Sequence, residues 1–99
     1  MVFEIATIQI ASGTKEGFVE AVRQAAPLFK AAKGCRSFAL DQSIEFPDKF
    51  RLIVGWDSVE DHMVTFRESP AYAGWRELVS PFFAEPPQVE HVRPILDEF

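Results

Sequence analysis

The order of apolar runs and turn signals predicts an α+β domain of the ferredoxin-like kind, βαββαβ. It is a four-stranded antiparallel sheet with its helices on one face. Three observations carry that expectation. Segments rich in Val, Ile and Phe alternate with stretches of helical periodicity. Two of these strand-like segments are separated only by a short turn, which pairs them as a hairpin. And 99 residues suffice for one core, hence one domain over residues 1–99.

Residues 2–11, VFEIATIQIA, read as the first strand. Its polar residues Glu4, Thr7 and Gln9 do not share one face, so the strand is either buried on both faces or meets another subunit on its outer one. Ser12-Gly13-Thr14 is a turn, and a helix runs from it to about Lys33, with Phe18, Val22, Ala25 and Phe29 on one stripe. Pro27, on the solvent side, should kink this helix, and Gly34 stops it. Cys35–Ile44 is the second strand, Pro47-Asp48 the corner, and Phe50–Trp56 the third strand, with Phe50, Leu52, Val54 and Trp56 on one face.

Ser58-Val59-Glu60-Asp61 resembles a capping box and opens a short α-helix that places Val59, His62, Met63 and Phe66 on one stripe, with Asp61 facing away. Ser69-Pro70 starts a second short helix whose face is Tyr72, Trp75, Leu78 and Val79. Pro81 ends it, and Val89–Ile95 is the last strand. Helices cover one face only. Ile8, Ile10, Phe38 and Ile53 are expected on the other, where water contact would be costly. A symmetric homodimer closing two sheets into an α+β barrel is the economical solution.

Composition excludes several function classes. The 47% hydrophobic and 25% charged content is that of a soluble globular protein. Fifteen acidic against ten basic residues, net charge −5, with no Lys/Arg block, argue against a nucleic-acid partner. No apolar run approaches the roughly 20 residues of a membrane span, and the N-terminus lacks a basic signal-peptide region. A lone cysteine, Cys35, suits a reducing cytoplasm. Two histidines and no paired cysteines offer no metal-ligand spacing, and there is no glycine-rich phosphate loop.

The stretch Gly55–Phe83 concentrates both tryptophans, the only tyrosine and His62. An aromatic-lined pocket is expected there, walled by Trp56, Phe66, Tyr72, Trp75, Phe82 and Phe83, though each ring also suits a plain core. His62, in an apolar stripe with no carboxylate three or four residues away, is the candidate general base, its pKa lowered by burial. The same placement suits a histidine that merely bonds a backbone carbonyl at the core edge. Arg67 and Arg76 flank the short helices and are candidates for stabilising an anion, with a surface salt bridge as the favoured alternative. His91 reads as a strand-edge or dimer-interface residue.

Gly34-Cys35 before the second strand, Trp56-Asp57-Ser58 with Glu60, and the series His62, Phe66-Arg67, Ser69, Tyr72, Trp75-Arg76, Pro81-Phe82-Phe83 resemble the small antibiotic biosynthesis monooxygenase (ABM) domains, over nearly the whole chain. That resemblance implies a dimeric α+β barrel. It also implies a cofactor-independent monooxygenase, an oxidoreductase with no metal, flavin or haem, acting on a small aromatic or quinol-type ligand. Relatives that degrade haem carry Asn, Trp and His where Ala6, Phe66 and Arg76 stand here, so haem degradation is not implied. A non-catalytic, stress-linked binding dimer and an isomerase on the same scaffold are the alternatives.

Overall fold

A computed structural model describes all residues, Met1–Phe99. Its elements are β1 (Val2–Gln9), α1 (Lys15–Lys30), β2 (Cys35–Gln42), β3 (Lys49–Trp56), a π-helix (Asp61–Phe66), α2 (Pro70–Val79), a 3₁₀ turn (Ser80–Phe82) and β4 (Gln88–Val92). The sheet is antiparallel with order β2-β3-β1-β4, the predicted ferredoxin-like arrangement. No helix is long and apolar enough to cross a membrane.

β1 resolves the ambiguity of its sequence. Val2, Glu4, Ala6 and Ile8 alternate inward and are buried, while Phe3, Ile5, Thr7 and Gln9 face out and are half-covered. Both faces carry large apolar residues, which is why a period of two is hard to see. The outward set expected from sequence is corrected accordingly. Ile8 and Ile10 are inner core residues, and Phe38 turns inward against Phe29 at 4.7 Å. Only Ile53 of that set lies outside, level with Ile5 on β1 and Ala39 on β2.

The inner face is filled by one aromatic cluster. Phe29, from the last turn of α1, has ring centroids of Phe38, Phe66, Trp75 and Trp56 within 6.3 Å. α1 runs unbroken to Lys30 through Pro27, which is exposed, so the bond it cannot donate falls on the wet side. β4 is shorter than expected and stops at Val92, two residues before Pro94. Beyond it the tail adds no regular structure, and Ile95, Leu96 and Phe99 are exposed.

The segment after β3 departs from the expected α-helix. A π-turn is wider, so inward positions recur at i, i+4 and i+5 instead of i, i+3, i+4 and i+7. Asp61, His62 and Phe66 are buried, whereas Val59 and Met63 are exposed. Asp61 therefore points in, against Gly34.

Gly34 and Gly13 both have φ of +79°. A methyl group at Gly34 would collide with the Asp61 carboxylate, while one at Gly13 would meet nothing within 4 Å. Gly13→Ala should cost about 1–2 kcal/mol, the left-handed backbone penalty alone. Gly34→Ala should cost clearly more, read by thermal or urea denaturation. Equal losses would mean that the Asp61 contact yields freely.

Candidate active site

Four elements converge on one polar group in the core. Glu4, on the inner face of β1, is only 4% exposed. From β3, Trp56 Nε1 donates a hydrogen bond to Glu4 Oε1 at 3.0 Å. From the π-helix, His62 Nε2 lies 3.3 Å from the same oxygen. On β4, His91 stands directly across the strand pair from Glu4, and its Nε2 is 2.8 Å from His62 Nδ1. The indole of Trp56 also stacks on the His62 ring, with centroids 5.3 Å apart and planes 19° apart. The π-helical turn is what makes this possible, because it swings His62 and Phe66 together over the sheet.

Burial dominates the electrostatics. Desolvation raises the Glu4 carboxyl from 4.5 to about 7, against the opposing pull of the Trp56 hydrogen bond and the Arg67 charge. Desolvation likewise lowers His62 from 6.5 to about 4, helped by repulsion from His91 and Arg67. His91 is lowered by burial and by Arg67. At neutral pH the imidazole of His62 is thus uncharged, and Glu4 is near the midpoint of its titration. The 3.3 Å contact is not a standing ion pair.

Beside this group lies a cavity of about 210 Å³, lined by Glu4 and His62 together with Ala6, Ile8, Phe29, Phe66, Arg67, Tyr72, Trp75, Arg76, Phe83 and the Pro86-Pro87-Val89 wall. Of the residues singled out by sequence, the cavity brings together His62, Phe66, Arg67, Tyr72, Trp75, Arg76 and Phe83. Trp56 is fully buried behind the wall and acts through Glu4 and His62 instead. Phe82 turns away, packing on Phe18 at 6.1 Å over the space that a side chain at Gly17 would occupy. Phe83 is held at the cavity by its bridge to Ile10 and by the Ala84 N–H bond to the Gln9 carbonyl, 2.8 Å.

Arg67 and Arg76 depart from the salt bridges favoured for them. The ion pairs of the chain involve Glu20–Arg23, Lys33–Asp61 and Arg36–Asp57 besides the Glu4–His62 contact. The Arg67 guanidinium lies over the Tyr72 ring at 5.4 Å, and that of Arg76 over the Phe83 ring at 5.6 Å. Two guanidinium groups at the cavity, neither within ion-pair distance of a carboxylate, suit an anionic guest.

Sequence reasoning missed Glu4 and His91. Nothing within four residues of His62 is a partner to it, because its partners arrive through strand pairing. The available signal was a carboxylate on the same β1 face as Ala6 and Ile8. The three side chains do not gather around a point, since His62 gives one ring nitrogen to each neighbour, and no cluster in the chain is arranged to hold a metal ion.

The sequence model of the family described as antibiotic biosynthesis monooxygenase (ABM) matches residues 1–78. A Bordetella bronchiseptica crystal structure, provisionally assigned as an antibiotic biosynthesis monooxygenase, is 46% identical and superposes with a TM-score of 0.94, covering 96% of this chain and 97% of that one. The uncharacterised Bacillus subtilis protein YczJ is 37% identical over 96% of this chain and all of its own length. A Nitrosomonas europaea structure with the same provisional assignment shares the fold, at 23% identity and a TM-score of 0.83 over 95% of this chain and 89% of that one.

The raised Glu4 and the lowered His62 act oppositely on stability. Glu4 contributes stability in full below 4.5 and loses it as pH rises through about 7. His62 contributes above 6.5 and loses stability as pH falls toward about 4. Between those limits folded and unfolded pairs each hold one proton, so the two effects cancel. Glu4→Gln removes one side only. It should be more stable than the parent by about 2–3 kcal/mol at pH 8, shrinking to under about 1 kcal/mol at pH 5, in urea titrations at both pH values. A pH-independent difference would show that the carboxyl titrates normally.

Proposed function

The chain belongs to the antibiotic biosynthesis monooxygenase family, and from that membership and its buried base we infer that it oxygenates a small phenol- or quinol-type molecule without a cofactor. The observation that carries this is the Glu4–His62 pair facing an apolar cavity beside two guanidinium groups that lack carboxylate partners. Glu4 Oε1 accepts a hydrogen bond from Trp56 and lies 3.3 Å from His62 Nε2, and the carboxyl borders the cavity, where it can accept a proton. A carboxyl near 7 is matched to that task at neutral pH. His62, neutral and adjacent, completes the base.

Deprotonation turns a phenol or enol into an anion that Arg67 and Arg76 stabilise. The anion gives one electron to dioxygen, and the resulting radical and superoxide combine as a peroxide on a ring carbon. Where that carbon retains a hydrogen, loss of water leaves a carbonyl. For a phenol the balance is one C–H and one O–H plus O₂ to two C=O plus H₂O, so no external reductant is needed. An apolar cavity of about 150 Å³ accommodates benzene. The 210 Å³ here therefore suits one substituted ring in preference to three fused ones.

Oxygen-electrode assays with substituted hydroquinones and phenols should show uptake, faster for single rings than for anthrones. Glu4→Gln should lower kcat by about 10²–10⁴-fold with KM little changed, and His62→Ala should also lower kcat. Product formation undiminished under nitrogen would instead point to isomerisation. Ligand-induced thermal shifts without oxygen uptake would point to binding alone.

A second copy of the chain belongs to the same reading. The outer face carries two rows that run across the sheet, Ala39–Ile53–Ile5–Glu90 and Ser37–Gly55–Phe3–Val92, apolar at their centre and polar at one end each, bordered by the polar row Asp41–Arg51–Thr7–Gln88. Two such faces pressed together form the homodimer. Light scattering should report a dimer, and Ile53→Asp should shift it to a monomer at micromolar concentration. A parent protein that scatters as a monomer would rule the dimer out.

A further inference from the structure

His91 is the member of the buried group that the oxygenation chemistry leaves without a role. It lies on β4, the edge strand, and is partly exposed, whereas Glu4 and His62 are 4% and 3% exposed. A proton accepted by Glu4 inside an apolar cavity has to leave before the next turnover, and the path through His62 to His91 is the one along which polar atoms are continuous, at 3.3 and 2.8 Å. We propose that Glu4, His62 and His91 form a proton wire between the cavity and the open edge of the sheet, with His91 as its exit. This rests on the Glu4–His62 base inferred above for its use in turnover, but the wire itself is a property of the free protein.

Each imidazole has only two nitrogens, and this fixes the sequence of transfers. With Glu4 protonated, its hydroxyl faces His62 Nε2. His62 then carries its proton on Nδ1 and donates to His91 Nε2, leaving the His91 proton on Nδ1. With Glu4 ionised, His62 carries Nε2–H toward the carboxylate, His91 donates Nε2–H to His62 Nδ1, and His91 Nδ1 is bare. Passing from the first state to the second moves one proton from Glu4 to His62, one from His62 to His91, and one from His91 Nδ1 to water. The net change is one proton out, with no ring becoming a lasting imidazolium. The 3.3 Å step is slightly longer than a usual hydrogen bond and has to shorten for the transfer.

Other charged groups around Glu4 do not offer an alternative exit. Arg67, following the π-helix, and Arg76, on α2, offer only N–H donors and no acceptor, so they can only bias the equilibrium. Cys35 on β2 has a thiol pushed up by burial. β3 supplies Trp56, a donor only, and α1 supplies Phe29.

The test is nitrogen NMR of the free protein with ¹⁵N-labelled histidines, titrated from about pH 5 to 9, the range spanning the Glu4 midpoint. Both rings should exchange protonated nitrogens in a single shared transition, absent from Glu4→Gln. Rings that titrate independently, or keep their tautomers throughout, would overturn the wire whether or not the protein consumes oxygen. Where oxygen uptake is found, His91→Leu should lower kcat by on the order of tenfold, leave KM unchanged, and recover with added imidazole. Failure of imidazole to restore it would remove the exit role. Absence of uptake with every substrate would strike the oxygenase reading alone, with the NMR result still deciding the wire.

Discussion

A carboxyl group on the inner face of a sheet is the costliest element of this core, and the local structure is arranged around tolerating it. An unpaired buried carboxylate is not sustainable, so Glu4 is held with a titration midpoint near 7 and given partners on both sides. Trp56 supplies a neutral donor that serves either protonation state. His62 supplies a nitrogen that can donate or accept, and so can follow the carboxyl through its titration. A lysine or arginine in place of His62 would pin Glu4 as an anion and abolish its use as a base. An aliphatic residue would leave it protonated.

The π-helix is the feature that lets this happen within 99 residues. An α-helix from Ser58 would have turned Val59 and Met63 inward beside His62, filling the space now lined by Glu4, Phe66 and Tyr72. The wider turn instead exposes those two side chains and brings Asp61 in. Gly34 makes room for Asp61, since any side chain there would strike it, and Lys33 lies 3.8 Å from its carboxylate. The irregular helix and the left-handed glycine are thus one accommodation, made by two segments distant in sequence.

Much of the fold was legible in the sequence because its signals are local. The hairpin corner, the Phe18–Phe29 stripe, the Ser69-Pro70 start and the alternation of Phe50, Leu52, Val54 and Trp56 each depend on neighbours within a few residues. Most of the cavity wall was legible for the same reason, since Phe66 through Phe83 come from one continuous stretch. Of the polar centre only His62 was. Whether Glu4 faces in or out depends on pairing register, and the apolar outer residues Phe3 and Ile5 erase the alternation that would have shown it. His91 reaches His62 only because β4 is placed against β1 with Glu4 and His91 in register. Helical periodicity of 3.6 misplaced Met63 because the real turn is wider.

The cavity itself is constructed and not a packing failure. Pro86 and Pro87 form one wall, and lacking N–H groups they can face an apolar space with no donor left unsatisfied. The Ile10–Phe83 bridge ties Phe83, another wall residue, to the end of β1. This matters to the chemistry through the degree of desolvation. A tightly filled core at this place would drive the Glu4 midpoint well above neutrality, and the carboxyl would stay protonated and idle. A wet cleft would let it fall toward 4.5, where the carboxylate is too weak a base for a phenol. A small, partly open hollow lined by both apolar and polar side chains places it between those failures. A cavity of 210 Å³ beside an edge strand only five residues long meets that condition.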